Sequence, residues 1–92
     1  MKNSLYAKKI REIFPEASDA EDDCARRRVT FTAYRAVRRN GTRITVGQLA
    51  RLAALFKNSL DDLRLHADGR DLYGETESFI FVEAMNVQFP EV

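Results

Sequence analysis

Apolar side chains near the start of the chain recur at the spacing of an α-helix. Within residues 4–14 they fall at i, i+4, i+7 and i+8, which places them on one side of an amphipathic helix. Pro15 ends this pattern, because a proline pushes the preceding residue out of the helical region. The residues that we expect to face the core are Tyr6, Ile10, Ile13 and Phe14.

A second helical pattern follows residue 45. Thr45 and Gln48 have the spacing of a capping box, in which each residue bonds the backbone amide of the other. Four apolar residues then recur at i, i+3, i+4 and i+7, a spacing typical of a helix packed on a core. They are Leu49, Leu52, Ala53 and Phe56.

Between the two helical patterns, apolar and polar residues alternate. From residue 28 to residue 38 the side chains follow the two-residue period of a strand, with Tyr34 and Arg38 on the side opposite Phe31. Asn40-Gly41 is a strong signal for a two-residue hairpin turn. A second strand over residues 42–46 would then oppose Arg38 with Arg43. We therefore expect a β-hairpin that carries arginines on its outer face.

The remaining segments are predicted as a helical turn or loop and as two further strands. Residues 18–28 contain a capping-box spacing between Ser18 and Glu21, and fit a short helical turn or a charged loop. Residues 63–67 are predicted as a short strand, followed by a loop through Gly74. Residues 78–89 are predicted as the last strand, and the run Phe79 to Val82 indicates a central strand covered on both faces.

The elements together predict an α+β fold. The expected order is α-β-β-α-β-β, with a mostly antiparallel sheet and the helices packed on it. The 92 residues form a single small domain, 1–92, since chains divide into domains at greater lengths. So small a domain favours binding through an outer face over a deep cavity.

Charge is strongly segregated along the chain, although the net charge is +1. Residues 1–23 carry six acidic and four basic side chains, and residues 24–57 carry nine basic and no acidic ones. Residues 58–92 carry eight acidic and two basic side chains. This pattern indicates charged partners. The alternative is that the basic middle and the acidic end neutralise each other in the fold.

No catalytic, metal or cofactor motif is present. Cys24 and His66 are the only cysteine and histidine, and they are far apart in sequence. Asp68, Gly69 and Glu75 match part of a calcium loop, but Arg64 would occupy its first ligand position. We expect no enzyme activity, no metal and no cofactor. Without a signal peptide or an apolar run near 18 residues, we expect a cytoplasmic protein with no membrane partner.

Residues 44–63 resemble the last two helices of the XRE-type helix-turn-helix proteins. The resemblance rests on a leucine-rich helix and a following Ser-Leu-Asp-x-Leu segment, with Leu49, Leu52, Ala53, Phe56, Ser59, Leu60, Asp61 and Leu63 matching. In that family these helices are packing helices. The resemblance therefore implies no residue that reads DNA bases.

In general character the chain resembles the small α+β inhibitors of phages and mobile elements, including anti-CRISPR proteins. That resemblance implies a non-enzymatic inhibitor or adaptor that blocks a nucleic-acid-handling protein or ribonucleoprotein complex by steric and electrostatic means. The alternative is direct binding of a nucleic-acid backbone by the basic hairpin. Under either hypothesis the expected partner-binding residues are the same: Arg26, Arg28, Tyr34, Arg38 and Arg43.

Overall fold

A computed structural model describes residues 4–37, 44–72 and 75–90. Its α+β order, α-β-β-α-β-β, confirms the predicted fold class and its antiparallel sheet. A single 3₁₀ turn at Leu60–Asp62 joins the second helix to the third strand. The elements are α1 (Ala7–Ile13), β1 (Ser18–Asp23), β2 (Arg28–Val37), α2 (Val46–Phe56), β3 (Leu63–Leu72) and β4 (Glu75–Ala84).

The helices bury the residues that the sequence pattern selects, except Leu49 of α2, which is only partly buried. In α1 and its flanks, Tyr6, Ile10, Ile13 and Phe14 are all buried. In α2, Leu52, Ala53 and Phe56 are buried. The predicted capping box is confirmed, because the Thr45 hydroxyl accepts from the amide of Gln48 at 3.1 Å and the Gln48 side chain accepts from the amide of Thr45 at 2.9 Å.

The four strands form one antiparallel sheet in the order β1-β2-β4-β3. One face of this sheet packs against both helices and forms the core, which includes Val29, Phe31 and Val82. Among the described residues, no helix covers the other face. We call it the helix-free face.

Residues 18–23 are a strand, and the predicted helical turn or charged loop there is wrong. β1 pairs with β2 from Ser18↔Thr32 to Asp23↔Arg28, with an irregularity between Ser18 and Glu21. Aspartate and glutamate are poor strand formers, but pairing on an exposed sheet edge overrides this weak local preference. Asp19 accommodates the irregularity with a positive φ of 55°, which aspartate tolerates better than most residues.

The second strand of the predicted hairpin is also wrong where the structure describes it. Val46, the last residue of that predicted strand, begins α2, and Arg35 pairs with Phe79 of β4. Val37 likewise pairs with Glu77. The predicted Asn40-Gly41 turn lies outside the described residues. The α-β-β-α-β-β order therefore holds with β1 as the first strand.

β3 is longer than the sequence predicts, whereas β4 is shorter and both begins and ends earlier than the predicted strand over residues 78–89. β3 continues through the predicted loop to Leu72, and β4 begins at Glu75, with an unbroken register from Leu63↔Ala84 to Leu72↔Glu75. β4 is a central strand, as predicted. Its apolar run is not covered on both faces, because Phe81 lies on the helix-free face and remains 37% exposed.

Candidate functional site

Charged, hydroxyl and aromatic side chains from all four strands meet on the helix-free face. Strand alternation and the observed register place Thr30 beside Glu83, and Glu83 beside Arg64. The next row joins Thr32, Phe81 and His66. This face is therefore a continuous mixed surface across the sheet and is the candidate site of the molecule.

Arg28 lies between two carboxylates on this face. Its guanidinium contacts Glu83 Oε2 at 3.2 Å and Asp23 Oδ2 at 3.5 Å. The three side chains come from β2, β4 and β1 respectively, so this arrangement connects three strands. Arg28 is only partly exposed, and such a pair is screened less by salt than a pair at the open surface.

His66 and Phe81 extend the site towards β3. His66 Nε2 lies 3.5 Å from the second oxygen of the Glu83 carboxylate, and the imidazole lies 6.1 Å from the Phe81 ring, centre to centre. His66 occupies an edge strand and is exposed. Phe81 thus presents an apolar surface beside the row that contains Glu83 and Arg64.

The sheet interleaves charges that the sequence separates. Four of the six residues in β1 are acidic, and β1 lies beside β2, which belongs to the basic middle of the chain. On its other side β2 pairs with β4, which belongs to the acidic end. At Arg28 the basic middle and the acidic end of the chain therefore neutralise each other within the fold, which is the alternative to a charged partner at this position.

The five predicted partner-binding residues have different environments. Arg26 is 72% exposed in the turn after β1, with its Nε 3.9 Å from Asp23. Arg28 is on the helix-free face but is paired with acids. Arg38 and Arg43 lie outside the described residues. The structure therefore brings only Arg26 and Arg28 together near one acidic side chain.

Tyr34 lies on the core side, and its predicted outward orientation is wrong. The register between β2 and β4 shifts between Thr32 and Tyr34, so Ala33 is an extra residue on β2. At such a bulge the alternation of side chains is interrupted, and Ala33 and Tyr34 are both buried. The Tyr34 hydroxyl accepts from the Gln48 side-chain amide at 2.9 Å.

Cys24 and His66 lie at opposite edges of the sheet. Cys24 follows β1 and His66 is in β3, and β2 and β4 lie between them. With strands about 4.8 Å apart, this order alone separates the two residues by at least roughly 14 Å across the sheet. They therefore do not form a catalytic dyad. No group of three or more His, Cys, Asp or Glu side chains within the described ranges is arranged to hold a metal ion.

Sequence reasoning missed Asp23, Glu83, His66 and Phe81 as members of one site. They belong to three strands, β1, β3 and β4, and only the strand order and register bring them together. The apolar run over residues 79–82 is one sequence signal of this site. It places apolar side chains on both faces of the strand, and burying them requires another element or a partner on each face. Phe81 lacks that cover among the described residues.

Comparisons of this chain with protein-family models, with curated proteins and with solved structures gave no match. Neither helix in the described part of the chain has the length and apolar character needed to cross a bilayer.

Proposed function

We propose that this chain is a small, non-enzymatic binding protein that docks on a protein partner through its helix-free face. The observation that carries the proposal is the position of Arg28 between Asp23 and Glu83. These charges are already paired within the protein. The face therefore offers mixed polarity with a central apolar side chain, which is the character of a protein-binding surface.

A polyphosphate backbone fits this face poorly. Binding by Arg28 would require its guanidinium to leave two carboxylates, and those carboxylates would then lie beside the phosphates. Affinity for nucleic acid depends on cations that release counterions from the phosphates, and paired cations contribute little to that release. The charges around Arg28 therefore favour a protein surface over DNA or RNA.

Phe81 supplies the apolar contact of the proposed docking surface. Aromatic residues contribute much of the binding energy of protein interfaces when they enter a desolvated pocket. Thr32 lies opposite Phe81 and Thr30 lies opposite Glu83; both threonines are half-buried and can donate or accept hydrogen bonds. The matching partner surface has an apolar pocket bordered by groups of both charges.

The biological role that we propose is that of an inhibitor or adaptor, as the general character of the chain suggests. A partner within a nucleic-acid-handling complex would be blocked sterically by a domain docked on it, as in the anti-CRISPR-like hypothesis. Direct nucleic-acid binding is the second candidate. It is favoured by the nine basic residues of residues 24–57 and by the exposure of Arg26, not by the helix-free face.

Capture from a nuclease-treated bacterial lysate tests the docking proposal. Wild type, Phe81→Thr and Val46→Thr serve as baits, and quantitative mass spectrometry compares the proteins that they retain. Val46 is the matched control, because it is an exposed apolar residue on α2, on the helix side of the sheet. We expect a protein retained by wild type and by Val46→Thr, and retained at least about tenfold less by Phe81→Thr.

Fluorescence anisotropy with generic single-stranded and duplex oligonucleotides tests the second candidate. The docking proposal predicts no binding near physiological salt. Binding that falls steeply with salt, and that is lost in the double variant Arg38→Glu/Arg43→Glu, would establish the second candidate in its place. Equal capture by all three baits would likewise contradict docking through Phe81.

A further inference from the structure

The two edges of the sheet differ in how they are protected from pairing with another strand. β1 is six residues long, contains four acidic residues and is irregular between Ser18 and Glu21. Short length, like charge and bulges are the devices by which proteins prevent edge pairing. The β1 edge has all three.

The β3 edge has none of these devices. β3 is ten residues long, contains no proline and keeps a regular register with β4 along its whole length. Its two arginines and two aspartates sum to zero charge. Long, regular edge strands of this kind are templates for pairing with another chain.

From this contrast we infer that β3 pairs antiparallel with β3 of a second copy of this chain, joining two sheets into one of eight strands. The inference does not depend on the proposed function. A two-fold axis perpendicular to the sheet keeps each face on its own side, so residues that oppose each other across the axis must share a face.

Charge complementarity favours two of the allowed registers, one with His66 on the axis and one with Gly69 on the axis, which would pair Asp68 with Arg70. With His66 on the axis, Arg64 opposes the Asp68 position of the second copy, and this pairing occurs twice. With Ala67 on the axis, Arg64 would oppose Arg70, and like charges directly opposite are destabilising. The sequence of β3 is therefore self-complementary about His66 and about Gly69.

Apolar positions favour the register about His66, because about Gly69 Ala67 would oppose Asp71 instead of Leu65. On the helix side of the sheet, Leu65 opposes Ala67 of the second copy. Leu65 is 44% exposed in the monomer, and Ala67 is exposed beside it. Pairing about His66 would cover both residues, which adds an apolar contribution to the new backbone hydrogen bonds.

Charge reversal across the axis tests the dimer by sedimentation velocity over a range of protein concentrations. Wild type is expected to dimerise. Arg64→Asp and Asp68→Arg each place like charges opposite each other twice and should weaken dimerisation about tenfold or more. The double variant Arg64→Asp/Asp68→Arg should restore it. Arg26→Asp, at the other edge of the sheet, is the matched control and should dimerise as wild type does.

A cysteine cross-link tests the register itself, in a Cys24→Ser background. His66→Cys places two thiols opposite each other at the axis, within the Cα separation that a disulfide accepts. Arg64→Cys places its two thiols roughly 13 Å apart, because four residues of strand separate them. We expect a disulfide-linked dimer from the first variant alone. A wild type that stays monomeric, failure of the double variant to restore dimerisation, or equal cross-linking of both cysteine variants would overturn the inference.

Discussion

At the scale of single residues, polar side chains hold the helices to the sheet at a few defined points. Gln48 is the clearest example, because its side-chain amide donates to the Ile13 carbonyl at 3.1 Å and to the Tyr34 hydroxyl at 2.9 Å. One residue of α2 therefore connects the end of α1 with β2. The buried orientation of Tyr34 is needed for this connection.

Tyr34→Phe should lower the free energy of unfolding by about 1 kcal/mol, since it removes the acceptor of a hydrogen bond at a buried position. Urea denaturation monitored by circular dichroism measures the change. If Tyr34 lay on the outer face, the same substitution would leave the free energy of unfolding unchanged. An unchanged midpoint would therefore contradict the bulge that turns Tyr34 inward.

Thr45→Ala should cost about 1 kcal/mol of stability, because it removes the side-chain oxygen that caps α2. Thr45→Ser is the matched control, since serine keeps the capping oxygen and should retain most of the stability. The same denaturation experiment compares the two variants. Equal losses in both would show that the methyl group of Thr45, and not its cap, is what matters.

Asp62 should make stability depend on pH in the acidic range. The backbone amide of Ser59, and then the side-chain amide of Asn86, donate to its carboxylate and lower its pKa from 3.8. A lowered folded-state pKa stabilises the fold above the unfolded pKa, and this contribution disappears as the pH falls through the folded pKa.

We therefore expect Asp62→Asn to be less stable than wild type at neutral pH, with the difference shrinking below about pH 4. Thermal melts between pH 2 and pH 7 follow this difference. Asp61→Asn, which leaves the hydrogen bonds of Asp62 in place, is the matched control. A difference that stayed constant over the whole pH range would contradict the role assigned to the Asp62 carboxylate.

At the scale of elements, the sequence predicts helices better than strand partners. The apolar spacing of α1 and the capping box of α2 are local signals, and the structure confirms both. β1 has no such signal, since its acidic residues disfavour a strand and only pairing with β2 forms it. The second strand of the predicted hairpin failed at residues 44–46 for the same reason, because local signals carry no information on the competing partner β4.

The candidate site depends on this non-local information. Phe81 and His66 are 15 residues apart, and they meet because β3 and β4 pair in one register. A shift of β3 by one residue along β4 would move His66 to the core side and leave Phe81, which β2 also holds, on the helix-free face. Alternation predicts which side chains of β2 share a face as far as the bulge after Thr32, but it does not predict which residues of different strands meet in the site.

Arg28→Gln should weaken the connection among β1, β2 and β4. We expect a loss of about 1 kcal/mol in the free energy of unfolding, a value reduced by solvent screening because Arg28 is partly exposed. Arg26→Gln is the matched control, and its exposed side chain should contribute less than about 0.5 kcal/mol. Equal effects of the two substitutions would contradict the bridging position of Arg28.

At the scale of the whole molecule, folding turns a charge-segregated chain into a sheet of interleaved charge. The acidic β1, the basic β2 and the acidic β4 are neighbours, and both helices lie on the opposite face. The helix-free face therefore combines paired charges, hydroxyl groups and Phe81 in one accessible layer. Our account of function depends on this face being the surface that meets a partner.

Chemical-shift mapping of the ¹⁵N-labelled protein with its captured partner tests this claim most directly. The account predicts that the largest amide shift changes fall on residues of the helix-free face, centred on Thr32, Phe81 and Glu83, while the outer surfaces of α1 and α2 change little. Changes concentrated on the exposed residues of the two helices, with the three strand positions unaffected, would contradict it.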